Sequence, residues 1–281
     1  MIRLHSTFGL ALASAVMTAG CGGGAATTLE KSVLSFEQVT PEQWDRLAHE
    51  RIFFGHQSVG NNLLDGVRDV MASNPHIRLN IVETPDGSAI DGAGFYHANI
   101  GTNGAPSSKL AAFRDAVPAL GDSGTALLKY CYVDVNLESD PKAMFAEYQR
   151  TVEQIRAAHP NLKIVHITLP LTTDAGNLRY WAAAVRRLPS HRQLNFIRHQ
   201  YNEMLRTTYG GKEPIFDLAR LESTEADGSE KLVRYKGQRV PVLSNAWTYD
   251  GGHLNEAGRR RLAEAFLTTL VSLQQPAWST P

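Results

Sequence analysis

Arg51-Ile-Phe-Phe-Gly-His-Gln-Ser-Val-Gly-Asn-Asn-Leu-Leu64 carries an apolar run, a turn between two glycines and the start of an amphipathic segment. Arg51–Phe54 does not alternate between apolar and polar residues, as expected of a strand buried on both faces. Val59, Leu63, Val67 and Val70 then recur at helical spacing, so the chain passes from strand to helix through Gly55–Gly60. A buried strand followed at once by a helix is the repeating half of a parallel α/β architecture.

The same alternation continues outward. Further strands are expected at Ile77–Glu83, Ala126–Val133, Lys163–Leu169 and Pro214–Leu218, all short and rich in branched or aromatic residues. Helices are expected where apolar residues fall three or four apart: Leu110, Phe113 and Val117; Phe145, Tyr148, Val152 and Ile155; Ile197, Tyr201 and Leu205; and a last helix from Glu256 to about Leu273. The pattern predicts a three-layer α/β/α sandwich around a mostly parallel five-stranded sheet with right-handed crossovers. Two excursions interrupt it, Asp174–Asn195 and Glu222–Tyr249, and Lys231–Leu243 within the second can form a hairpin.

The chain has 281 residues, with 28 Lys and Arg against 28 Asp and Glu. No basic run exceeds Arg259-Arg260-Arg261, so a nucleic-acid surface is not expected. Two cysteines exclude a disulfide scaffold and a cysteine-based metal cluster. Met1–Gly20 has one basic residue, Arg3, then an apolar run, Phe8–Val16, shorter than the roughly 20 residues that span a bilayer. It reads as a signal peptide. Its end, Met17-Thr-Ala-Gly-Cys21, looks like a bacterial lipobox, with Cys21 acylated; the alternative is plain secretion. Residues 21–35 then serve as a tether and 36–281 as a single domain, exported and held to a membrane through the lipid only. Cys131 is expected to be a buried core thiol.

Ligands of open parallel sheets sit beyond the carboxyl ends of the strands. Ser58 lies there, at the mouth of a helix, as a nucleophile or a helix cap. Before the last helix, Asp250-Gly-Gly-His253 places a carboxylate where it can orient an imidazole as general base; Asp250 and His253 could equally be turn and cap residues. After the third strand, Asn136 can offer an amide to an oxyanion, or simply make a turn with Asp134, which would pair with Lys129. Asp250, His253 and His56 could together ligate a metal, but no HExxH pattern supports it and no cofactor is expected.

Taken in order, these blocks resemble the SGNH (GDSL-like) hydrolase superfamily, across about Arg51 to Ala265. The strand ends in a Gly-x-x-Ser turn, Gly92–Gly104 follows the second strand, and a third strand ends near Asn136. His159-Pro-Asn-Leu-Lys-Ile-Val165 leads into Leu169-Pro-Leu171. Tyr201-Asn-Glu-Met-Leu-Arg206, Ile215-Phe-Asp-Leu218 and Asp250-x-x-His253-Leu-Asn-x-x-Gly258 complete the series. The resemblance implies a flavodoxin-like SGNH fold and a cofactor-free serine esterase. Ser58, Asp250 and His253 take the triad roles, and the oxyanion is held by the Ser58 N–H, a glycine N–H and Asn136. Gly101 or Gly94 fills the glycine role, with Gly101 preferred.

Two blocks depart from the family. Gly-His-Gln-Ser-Val-Gly stands where Gly-Asp-Ser is usual, and Tyr-Val-Asp-Val-Asn where Gly-x-Asn-Asp is usual; Gln57 or Asn61 can replace the missing amide. His56 is a substrate-side hydrogen-bonder or a packed turn histidine. Trp247 and Tyr249, beside the histidine turn, would stack on a sugar ring, or pack into the core. The expected substrate is a small-molecule or glycan ester, an O-acetylated glycan above all. Acyl transfer by the same triad, or a glycan-binding lipoprotein that has lost activity, are the alternatives.

Overall fold

A computed structural model describes residues 34–121, 123–176 and 190–274. The expected signal segment, Cys21, nearly all of the expected tether and part of the first excursion lie outside the described residues. A helix not anticipated from the pattern, α1 (Pro41–Ala48), opens the described chain; Thr40 caps it. The α/β series follows: β1 (Arg51–His56), α2 (Ser58–Ser73), β2 (Ile81–Glu83), β3 (Gly94–Asn99), α3 (Pro106–Ala116), β4 (Gly124–Leu128), α4 (Pro141–Ala158) and β5 (Leu162–Ile167). Then come α5 (His191–Tyr209), β6 (Ile215–Phe216) and α6 (Leu218–Ser223). The hairpin β7 (Leu232–Tyr235) and β8 (Gln238–Pro241) and the last helix, α7 (Glu256–Ser272), complete it.

The three-layer α/β/α class stands, with one correction. The main sheet has six strands rather than five, in the order β2-β3-β1-β4-β5-β6, and every pairing in it is parallel. The added strand, Gly94-Phe-Tyr-His-Ala-Asn99, sits among Gly87, Gly92 and Gly101 and reads as loop. It is a strand because β1 pairs with it along its length, from Arg51 opposite Gly94 to His56 opposite Asn99. The expected strand Ile77–Glu83 shrinks to the edge strand Ile81–Glu83. The expected strand Ala126–Val133 stops at Leu128. Just beyond it, Cys131 N–H donates to Asp134 Oδ2 at 2.7 Å, folding Tyr132–Asp134 into a single 3-10 turn.

Adjacent residues of β1 face opposite layers. Phe54 packs with Val59, Leu63, Val67, Leu262 and Phe266 under α2 and α7, whereas Phe53 packs with Phe113, Ala126 and Leu128 under α3 and α4. The α2–α7 contact has a specific cause: a Cβ on Gly66 would fall on the Arg259 carbonyl oxygen, so only glycine lets the two backbones come this close. That contact ties together the helix that begins at Ser58 and the helix that follows His253.

Candidate active site

Ser58 is the first residue of α2, directly beyond the end of β1. The Gln57 side chain pins the turn, donating through Nε2 to the Ile100 carbonyl at 2.9 Å and the Gly101 carbonyl at 3.1 Å. The serine hydroxyl is half-buried, and its neighbour is the thiol of Cys131 at 3.8 Å. Cys131 is buried, as expected from the sequence.

The histidine turn reaches the same rim. Leu254 N–H donates to Asn62 Oδ1 at 3.2 Å, one turn of α2 beyond Ser58. The Tyr132 ring, next in sequence to the thiol beside Ser58, meets the His253 ring edge to face at 5.6 Å. Cys131 and Tyr132 thus touch the serine and the imidazole in turn. Among the described residues no hydrogen bond joins Ser58 Oγ to the His253 ring.

His253 Nδ1 lies 2.7 Å from Asp250 Oδ2, while Asp250 Oδ1 accepts the Gly252 and His253 N–H groups at 2.9 and 2.7 Å. Partial burial opposes ionisation of Asp250. The bonds from the His253 ring and from the two backbone N–H groups outweigh it and hold the carboxyl down at about 2. An ionised Asp250 requires the proton on His253 Nδ1, which leaves Nε2 free to accept one.

The other expected site residues divide. Gly101 lies just past β3 with φ of 61°, tied to Gln57 through its carbonyl. Gly94 starts β3, with its N–H donated to the Glu50 carbonyl at 2.9 Å, which removes it as an oxyanion donor. Asn136 is exposed, and its Oδ1 accepts the Glu138 N–H at 2.8 Å and the Ser139 hydroxyl at 3.2 Å. Its contacts are those of a turn residue, because the chain must reverse there to enter α4. Asp134 pairs not with Lys129 but with the buried Lys109, Nζ to Oδ2 at 2.6 Å. The Asp134 carboxylate also accepts the Gly104 N–H at 2.9 Å.

His56 is not at the surface of the site. It is fully buried, against the Phe54 ring at 4.7 Å, with Nε2 3.1 Å from His97 Nδ1. Burial pulls its pKa down to about 3, so it is neutral, and a Cβ at Gly60 would collide with it. It packs the base of the turn instead of meeting substrate. Trp247 is anchored as well: Nε1 donates to the Thr224 carbonyl at 2.8 Å and Arg261 lies 5.0 Å over its ring. The aromatic left open beside the imidazole is Tyr249, 68% exposed and stacked on His253 at 6.1 Å. Among the described residues no group of three or more His, Cys, Asp or Glu side chains is placed to hold a metal.

Two groups near the site were not singled out from the sequence. One is the Lys109–Asp134 pair that sets the loop after β4. The other is Arg198, buried on α5 three residues before Tyr201. The signal for Arg198 was available, since an arginine in register with the apolar stripe of a helix cannot face solvent.

Compared with solved structures, the chain is similar to a protein from Bacteroides fragilis described as an acylhydrolase, at 16% identity, a TM-score of 0.50, and coverage of 84% of this chain and 95% of the other. The chain shares the fold of that acylhydrolase. A GDSL-like lipase from Bacteroides thetaiotaomicron aligns at 13% identity over 86% of this chain and 98% of its own, with a TM-score of 0.48. No family model matches the chain, and no curated protein matches it. In this parallel fold the candidate site sits at the carboxyl ends of β1, β3 and β4, where open parallel sheets bind ligands.

Proposed function

We propose that the protein is a serine carboxylic ester hydrolase. Ser58 is the nucleophile, His253 the general base and Asp250 the carboxylate that orients it. The observation that carries this reading is the meeting of two distant turns on one rim, with Cys131 and Tyr132 touching one partner each. His253 Nε2 takes the Ser58 proton as Oγ attacks the ester carbonyl. It then returns the proton to the departing alcohol, and water releases the acyl group by the same steps in reverse. The developing oxyanion lies at the N-terminus of α2, where the Ser58 N–H and the helix dipole favour negative charge, with the Gly101 N–H as second donor. The test is hydrolysis of an aryl acetate by the wild-type protein and its loss in Ser58→Ala.

The amide donor is not Asn136 on this reading but Asn61, whose Nδ2 lies 3.5 Å from Asn99 Oδ1 on the open side of α2, one turn from Ser58. Asn136→Ala should therefore leave kcat within about threefold of wild type, whereas loss of an oxyanion donor typically costs about 100-fold or more. A steady-state assay separates the two.

The substrate class follows from Tyr249, an exposed ring against the imidazole that suits a sugar carrying the scissile ester, such as an O-acetylated glycan. An exported, lipid-anchored protein would meet such glycans outside the cytoplasm. Cys21→Ala should move the protein from the membrane to the soluble fraction, and retention in the membrane would remove the anchor.

A further inference from the structure

Arg198 donates in two directions from the interior. Its Nη2 reaches the Tyr132 carbonyl at 2.8 Å, and its Nη1 reaches Thr172 Oγ1 at 3.1 Å and Asn195 Oδ1 at 2.6 Å. Asn195 secures the same threonine from the same helix, accepting the Thr172 N–H at 3.1 Å and donating to its carbonyl at 2.7 Å. The next residue then meets the histidine turn: Thr173 N–H donates to the Gly251 carbonyl at 2.9 Å. Glycine is required there, since a Cβ on Gly251 would sit 2.7 Å from Thr173 Oγ1. On the other wall, a Cβ on Gly252 would sit 3.0 Å from the Tyr132 ring. The turn that carries Asp250 and His253 is therefore held between Tyr132 and Thr173, and both walls lead back to one guanidinium.

We infer that Arg198 is a positioning residue, a buried clamp that sets the gap into which the Asp250–His253 turn fits and so fixes the imidazole relative to Ser58. A planar fork of donors suits this task, because it satisfies carbonyl and hydroxyl acceptors from two separate segments at once. A lysine could not reach both in fixed geometry. Burial pulls the Arg198 pKa down to about 10 while Glu222, Cys131 and Tyr132 draw it back, so the group stays charged at neutral pH. Glu222 reinforces one wall directly, accepting the Leu171 N–H at 2.6 Å, one residue before Thr172.

The inference rests on the triad reading, and the experiment keeps the two apart. Arg198→Lys is compared with Leu205→Ala, a core deletion on the same helix away from the turn, and with Thr172→Val, which removes the hydroxyl that accepts from Arg198 and donates to Asn195 Oδ1. Three quantities are read: thermal midpoint, kcat and KM on an aryl acetate, and the downfield proton resonance of the His253–Asp250 hydrogen bond, assigned by its loss in His253→Ala. Arg198→Lys should lower kcat about 10- to 100-fold with KM within about threefold, the loss expected when a reacting group is misplaced by an ångström or less. It should also shift or broaden the resonance, with Thr172→Val showing a smaller change of the same kind. Leu205→Ala should lower the midpoint and leave the resonance in place. An unmoved resonance in folded Arg198→Lys, or in Thr172→Val should the first not fold, would overturn the clamp. So would an equal shift in Leu205→Ala. Wild-type rates in Ser58→Ala would instead strike the ester-hydrolase reading, while the resonance, read without substrate, still decides the clamp.

Discussion

Ser58→Ala and His253→Ala should each lower kcat/KM on an aryl acetate by about four to six orders of magnitude, and the double variant should be no worse than either single one. The non-additivity follows from how the proposed pair works. Without the hydroxyl the imidazole has no proton to take, and without the imidazole the hydroxyl stays a weak nucleophile. Neither change opens the core: among the described residues the hydrogen-bond neighbour of Ser58 Oγ is a thiol at 3.8 Å, and the His253 ring lies at the rim between Tyr132 and the exposed Tyr249, with Asp250 as its hydrogen-bond partner. The thermal midpoint should stay near wild type in Ser58→Ala and fall modestly in His253→Ala, which loses the bond to Asp250, while both remain folded, so that lost activity reports chemistry. Unchanged turnover in Ser58→Ala would end the proposed mechanism.

Asp250→Asn should cost about 10⁴-fold in kcat, from a near-isosteric change, because it reverses the tautomer of the base. The Gly252 and His253 N–H groups can only donate, so the Asn side-chain oxygen must take the place of Asp250 Oδ1. Its NH2 group would then face His253 Nδ1, which must become the acceptor. The ring proton moves to Nε2, the nitrogen needed free for the Ser58 proton. The wild-type pH profile carries a matching sign. The Asp250 carboxyl is held below its usual value, at about 2. Its ionised form stabilises the turn fully above the ordinary carboxylate range, and that contribution disappears only as pH falls through about 2. Asp250 therefore does not produce an acid limb near neutral pH. A wild-type limb that persists unchanged in Asp250→Asn, together with full activity, would show that the carboxylate does not govern the tautomer.

Much of the architecture was legible without coordinates, because each element has its own periodicity. The apolar runs at β1, β4 and β5, and the helical stripes of α2, α4, α5 and α7, are local signals that packing then exploits. The hairpin over Leu232–Pro241 lay inside the expected stretch for the same reason. The strand Gly94–Asn99 was not legible. Its glycines and polar residues carry no strand signature, and only pairing with β1 and burial between two layers hold it extended.

Within the site the same division holds residue by residue. Asp250 and His253 stand three apart, so their bond is a property of one turn and could be read from the chain; so could a serine opening a helix. The placement of Asn136, His56 and Trp247 could not. An amide in a turn, an imidazole and an indole look alike in sequence whether they face a ligand or the interior. Legible from the chain alone were the α/β alternation, the place of Ser58 at a helix mouth and the paired Asp250 and His253, because each is encoded within a few neighbouring residues. Only the tertiary structure decided that Ser58 and His253 share a rim, that His56 is buried and that Arg198 spans the two walls of the histidine turn. Those facts depend on contacts between segments distant in the chain, which local periodicity does not specify.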